Sequence, residues 1–136
     1  MIKELWLNLP VKDVKRAKTF FIHLGFSFSS RHKDGDPMAG LIVGERKTMV
    51  MLVEENLFKT FTQNSVTDAT KSNEIMISFD AESPEEVDML AKKAEEAGGI
   101  VFGKPGWNQG WMYGCGFTDL DGHRWNVLYM DMSKMK

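Results

Sequence analysis

The stretch LWLNLPVKDVKRAKTFFIHLGF, residues 5–26, decides how the rest of the chain is read. Leu5, Leu7 and Leu9 alternate with Trp6 and Asn8, which predicts a strand over Glu4–Leu9 with two unlike faces. Pro10 has no N–H to donate and is expected to end the ladder. Asp13 then offers an N-cap, Val14, Ala17, Phe21 and Leu24 recur at helical spacing, and Gly25 supplies the residue at which a helix readily stops.

Working outward, Phe26–Arg31, Met38–Val43 and Thr48–Glu54 read as strands, separated by turns at 33–36 and 44–47. The first half is therefore β-α-β-β-β. Residues 56–61 suit a short helix, and the polar run 63–73 reads as a surface linker that could lie over a pocket mouth. The same order then returns. Glu74–Asp80 alternates as a strand, with Ile75, Ile77 and Phe79 on one face. Ser83-Pro84-Glu85-Glu86 starts a helix whose stripe is Val87, Leu90, Ala91 and Ala94, and Gly98-Gly99 ends it. Ile100–Phe102, Trp111–Thr118 and Arg124–Met130 follow as strands, with a glycine-rich loop at 104–110 and a tight turn at 119–122. These elements predict one α+β domain over residues 1–136. It is built from two βαβββ modules (about 1–55 and 74–131) joined by a linker at 56–73. Paired, the modules form a curved, partly closed mixed sheet with helices outside and a concave interior suited to a ligand.

Composition narrows the function. A net charge of -2 and the absence of any basic stripe argue against nucleic acid. No segment approaches the roughly 20 apolar residues of a membrane span. Residues 1–9 are too short and too charged for a signal peptide, and a lone cysteine, Cys115, forms no intrachain disulfide. Both features place the protein in the cytoplasm by expectation. Ten methionines are many for 136 residues. They serve either as core filler or as an adaptable binding surface.

The residues Asn8-Leu9-Pro10-Val11-Lys12-Asp13, followed by Ala17, Phe20, Phe21 and Leu24-Gly25-Phe26, resemble the opening strand and helix of the vicinal oxygen chelate superfamily. That superfamily includes glyoxalase I, bleomycin-resistance and fosfomycin-resistance proteins and extradiol dioxygenases. The segment from Phe117 to Val127, with Asp119-Leu120-Asp121-Gly122 at its centre, resembles the family's D-P-D-G-x-x-x-E terminus. The resemblance spans nearly the whole chain and implies the same paired fold. It also implies four metal-ligand positions, on the first, fourth, fifth and eighth strands, carrying His, Gln or Glu in catalytic members. Here they fall on Trp6, near Met51, on Glu74 and on Asn126. Glu74 is the one plausible ligand for a hard divalent ion, since Trp does not ligate and thioethers suit soft ions. His23, His32 and His123 show no metal spacing and read as capping or surface residues.

The expected pocket wall is Trp6, Asn8, Met51, Glu74, Met76 and Asn126, with Leu128 beside them; the alternative is that these side chains fill the interior. Trp107 and Trp111, with Tyr113, belong to a glycine-flanked aromatic loop expected to cover a ligand or form an interface. Glu74 in an apolar pocket would also suit proton transfer, although no electrophilic partner accompanies it. The expected function is that of a homodimeric small-molecule-binding protein without a cofactor. The alternative is a Ni-, Zn- or Fe-dependent lyase or dioxygenase resembling glyoxalase I.

Overall fold

The computed structural model describes residues 1–135. The elements run β1 (Trp6–Val11), α1 (Val14–His23), β2 (Ser27–Phe28), β3 (Met38–Val43), β4 (Thr48–Glu54), α2 (Glu55–Thr62), β5 (Met76–Asp80), α3 (Pro84–Glu96), β6 (Ile100–Asn108), β7 (Met112–Thr118) and β8 (Arg124–Met130), with a closing 3₁₀ turn at Met132–Lys134. They form two four-stranded mixed sheets, ordered β1-β4-β3-β2 and β5-β8-β7-β6, each with one parallel pair at its edge. These are the paired βαβββ modules expected from the sequence, and the two sheets do not close into a barrel. Among the described residues no helix is long and apolar enough to cross a membrane.

The helices begin where local chemistry sets them. Asp13 accepts the Arg16 N–H at 3.1 Å, and Ser83 Oγ accepts the Glu86 N–H at 3.1 Å. The Glu86 carboxylate returns to the Glu82 N–H at 2.8 Å, so the first turn of α3 is capped from both sides. Gly25, at φ +101°, takes the chain out of α1 in a conformation that L side chains rarely adopt.

Four local expectations need correction. Pro10 does not end β1; it pairs with Val53 inside it. The strand tolerates it because β1 lies at a sheet edge, where no second neighbour needs the missing N–H. β2 is limited to Ser27–Phe28, although the Ser29 N–H still reaches the Gly40 carbonyl at 2.8 Å. β5 starts at Met76, which leaves Glu74 in the loop before it. The supposed loop 104–110 belongs mostly to β6, which runs to Asn108 through register shifts on both sides of Gly103. Glycines there mark bulges in a continuing strand.

One core holds both modules. Leu9, Val50 and Leu52 of the first sheet join Phe117, Trp125 and Val127 of the second, with α1 and α3 contributing Phe20, Phe21, Val87 and Leu90. Phe21 meets the fully buried Trp125 edge-on at 5.1 Å, and Phe26 meets Phe79 at 5.4 Å. Edge-on aromatic pairs add about 0.5–1.5 kcal/mol each beyond their burial. At the rim, His23 Nε2 lies 3.2 Å from Glu96, linking the ends of α1 and α3.

The β7–β8 turn is tied to the first module by polar contacts. Buried Asp119 accepts from the backbone N–H groups of Asp121 and His123 and from the Trp125 indole at 3.1 Å. Burial pushes its carboxyl up, opposed chiefly by His123 and then by the indole bond. His123 Nε2 donates to the Pro10 carbonyl at 2.6 Å, and the Lys12 N–H donates to Asp121 at 2.9 Å. Gly122, at φ +88°, sits so close to the linker that a Cβ would lie 2.7 Å from the Ala69 backbone.

Replacing Trp125 with alanine removes the ring on which both modules converge. The expected loss of stability is about 3–5 kcal/mol, read as a fall in the urea midpoint. A loss below about 1 kcal/mol would show that the modules do not depend on this contact.

Candidate functional site

Strand alternation gives each sheet a core face and an open face. In β1 the core side chains are Leu7, Leu9 and Val11, and the opposite set begins with Trp6 and Asn8. The open set continues across β4 as Met49 and Met51, which pair with Trp6 and Asn8 respectively. Gly40 pairs with Met51 on β3, and Met49 and Met51 lie over it closely enough that a Cβ there would collide with the Met49 methyl. Trp6 is 58% exposed. The first sheet thus presents indole, thioether and one amide to solvent.

In the second sheet the open set is Met76 and Ser78 on β5, Arg124, Asn126 and Leu128 on β8, and Gly114 and Gly116 on β7. Asn126 pairs with Ser78, and its Nδ2 donates to Ser78 Oγ at 3.2 Å. Phe102 lies across Gly116, filling the space a side chain would need. Its ring carries the Arg124 guanidinium, whose carbon is 4.2 Å from the ring centre. The Arg124 Nε donates to Asn73 at 3.1 Å.

The structure groups the eight sequence-predicted ligand-binding residues into five places. Trp6, Asn8 and Met51 share the open face of the first sheet, while Met76 and Asn126 share that of the second. Glu74 is exposed and lies four residues from Ser78, about 13 Å along an extended chain, so it does not stand beside Asn126. It joins Asn8 instead in a groove of about 310 Å³ against Phe58 of α2, the linker and His123. Being exposed, Glu74 lacks the burial on which the proton-transfer idea rested. Trp107 packs on Tyr113 at 5.2 Å and Tyr129 at 6.5 Å, side chains that belong to the core side of the second sheet. Trp111 sits in the β6–β7 connection, where its carbonyl accepts the Asp131 N–H at 2.8 Å.

Three residues of this face escaped sequence reasoning: Ser78, Arg124 and Phe102. Arg124 and Asn126 are two apart on one strand, so alternation alone puts them on one face. Ser78 needs the β5–β8 register, and Phe102 needs β6 recognised as a long strand.

The donor set does not fit a divalent cation. Among the described residues no three His, Cys, Asp or Glu side chains gather where they could hold a metal ion. His123 is committed to the Pro10 carbonyl, and His32 lies near Asp36 at 3.9 Å. Even if two copies pooled the four family positions, they would offer an indole, a thioether, one distant carboxylate and one amide.

Cys115 is buried, and burial pushes its thiol up to about 11. Tyr113 donates to Asp88 at 2.7 Å, which raises its phenol as well. Neither group is poised as a nucleophile near neutral pH.

Comparison with known proteins adds to this geometry. Residues 5–127 match the family model described as the Glyoxalase/Bleomycin resistance protein/Dioxygenase superfamily. Among solved structures, the hypothetical protein SA1046 from S. aureus is 40% identical, with a TM-score of 0.82 over 95% of this chain and 94% of that one. A glyoxalase/bleomycin resistance protein/dioxygenase family enzyme from Burkholderia phytofirmans PsJN is 18% identical, with a TM-score of 0.77 over 92% and 96% of the two chains. The fosfomycin resistance protein FosX from Listeria monocytogenes is 18% identical, with a TM-score of 0.68 over 98% of both. A search of the curated proteins finds no match.

The thiol environment makes a direct prediction. At pH 8 Cys115 stays protonated and covered, so iodoacetamide is expected to label the unfolded chain and spare the folded one. Rapid labelling of the native protein, seen by mass spectrometry, would contradict this burial.

Proposed function

The chain belongs to the Glyoxalase/Bleomycin resistance protein/Dioxygenase superfamily, and on that premise we propose that it binds and sequesters a small organic molecule as a homodimer. One observation carries this reading: each sheet spends one face on the shared core and leaves an apolar, methionine-bearing face uncovered. Trp6 at 58%, Met76 at 55% and Phe102 at 43% exposure are large side chains with their contact surface still available. Apolar patches of this kind mark binding surfaces on soluble proteins. A second copy, setting its first sheet over the partner's second sheet, would bring Trp6, Asn8 and Met51 opposite Met76 and Asn126. The space between would be a cleft walled by an indole, thioethers and a few amides.

Such a cleft suits recognition of a largely apolar body. Trp6 offers a flat surface for stacking, and the methionines adapt to an irregular outline. Asn126 and Ser78, already bonded to each other, can re-aim toward a polar group of the ligand. The wall holds no activated nucleophile and no group of carboxylates or imidazoles for a Lewis-acid ion. That chemistry favours holding a molecule over transforming it.

Sedimentation equilibrium is expected to give twice the 15.5 kDa chain mass, and Met76→Asp to shift the population toward monomer. Trp6→Ala is expected to weaken ligand affinity at least about fivefold, since a stacked indole in a buried contact contributes about a kilocalorie or more. Elemental analysis of the purified protein separates this reading from the lyase or dioxygenase alternative. Stoichiometric Ni, Zn or Fe, or a strictly monomeric chain, would sink it.

A further inference from the structure

We propose that Arg124 is the anion-recognising group of the open face and selects ligands carrying an oxyanion, a carboxylate or a phosphonate, on an apolar body. The inference rests on the ligand-binding reading above and names the ligand class. Arg124 begins β8, two residues before Asn126 and on the same side of the strand, since the intervening Trp125 is fully buried. Phe102 confirms the side: its ring occupies the Cβ position that Gly116 lacks, and Gly116 alternates with the core residue Phe117. The guanidinium therefore lies on the ligand side of the sheet.

It is also held in place. Its carbon stands 4.2 Å from the centre of the Phe102 ring, close enough for a cation–π contact. Its Nε donates to Asn73 Oδ1 at 3.1 Å. Asn73 is itself fixed, because its Nδ2 donates to the carbonyls of Ala69 and Gly122 at 3.2 and 3.1 Å. One residue of the linker thus orients the arginine by bonding both the linker and the β7–β8 turn. The two terminal amino groups of Arg124 carry no hydrogen bond or ion pair among the described residues. No acidic side chain among the described residues forms an ion pair with it.

A guanidinium keeps its charge at all relevant pH and presents its terminal N–H groups as a planar fork. A fork fixed on one side by an amide and below by a ring loses little freedom when it binds, and its natural complement is a bidentate oxyanion. Gly114 and Gly116 bring no side chain of their own to this face of the neighbouring strand, where the Phe102 ring and Leu128 lean over them, and Thr118, the partner of Arg124 on that strand, is buried. The oxyanion would sit against Arg124, with Ser78 and Asn126 on the neighbouring registers and an apolar body over Met76.

Isothermal titration of the intact protein with benzoate, phenylphosphonate and benzylamine tests this. These probes share an aromatic body and differ in the charge of the head. The expected result is that either anion binds at least about tenfold more tightly than benzylamine, and that R124Q removes this preference. R124K, which keeps the charge and loses the fork, is expected to recover only part of it. N73A, which frees the guanidinium, is expected to weaken the anions a few-fold and leave benzylamine unchanged. Unchanged circular dichroism and dimer mass in each variant exclude a folding defect. Anion binding that R124Q leaves intact, or benzylamine binding as tightly as the anions, would overturn the role of Arg124 and leave the ligand-binding reading standing. Failure of all three probes to bind at millimolar concentration would overturn both.

Discussion

Everything in this molecule follows from having one apolar core to serve two sheets. Phe20 and Phe21 of α1 reach across to Phe117 and Trp125, and Phe26 reaches Phe79, so the modules share a single aromatic centre. A sheet has two faces, and a chain of this size has two large helices to cover them. Covering the Leu9–Val50–Leu52 face of one sheet and the Phe117–Trp125–Val127 face of the other uses both helices, which meet between them. The opposite faces are then left bare, whatever they carry.

What they carry is informative. Exposed positions of an ordinary sheet face are polar, giving alternation of apolar inward and polar outward. Here Trp6, Met49 and Met51 on one sheet and Met76, Phe102 and Leu128 on the other replace much of that polar set. The few polar groups among them are specific rather than solubilising. Asn126 bonds Ser78, and Arg124 bonds Asn73 while resting on Phe102. The polar ties that hold the modules in register lie elsewhere, at the β7–β8 turn, where Asp121 and His123, both bonded through their N–H groups to Asp119, meet Lys12 and Pro10. The ties that hold the modules together and the side chains of the open faces are therefore separate sets of residues. The open faces are free to vary in chemistry without loosening the core.

Most of the element order was legible in the residues. Helix caps act within four residues, so Asp13 and Ser83 announced α1 and α3 directly. Val87, Leu90, Ala91 and Ala94 form the buried stripe their spacing predicts. The errors fall where a local signal has two meanings. Pro10 forbids a central strand but permits an edge strand, and glycines at 103 and 106 signal a loop or a bulge equally well. Glu74 stood out as the lone acid of the expected wall, yet β5 begins two residues later, and Ser78 is the residue that faces Asn126.

The sequence by itself determined the two βαβββ modules, the alternation of each strand and the poverty of metal-ligating side chains at the family's ligand positions. Those properties are written in residue types and in periods of 2 and 3.6, which neighbouring residues set among themselves. Tertiary structure alone decided which faces lie bare, that Arg124 is held by Asn73 from a linker 51 residues away, and that the Phe102 ring lies under its guanidinium. Register and packing join residues distant along the chain, and their free energy depends on surfaces that exist only once both modules have closed on their common core.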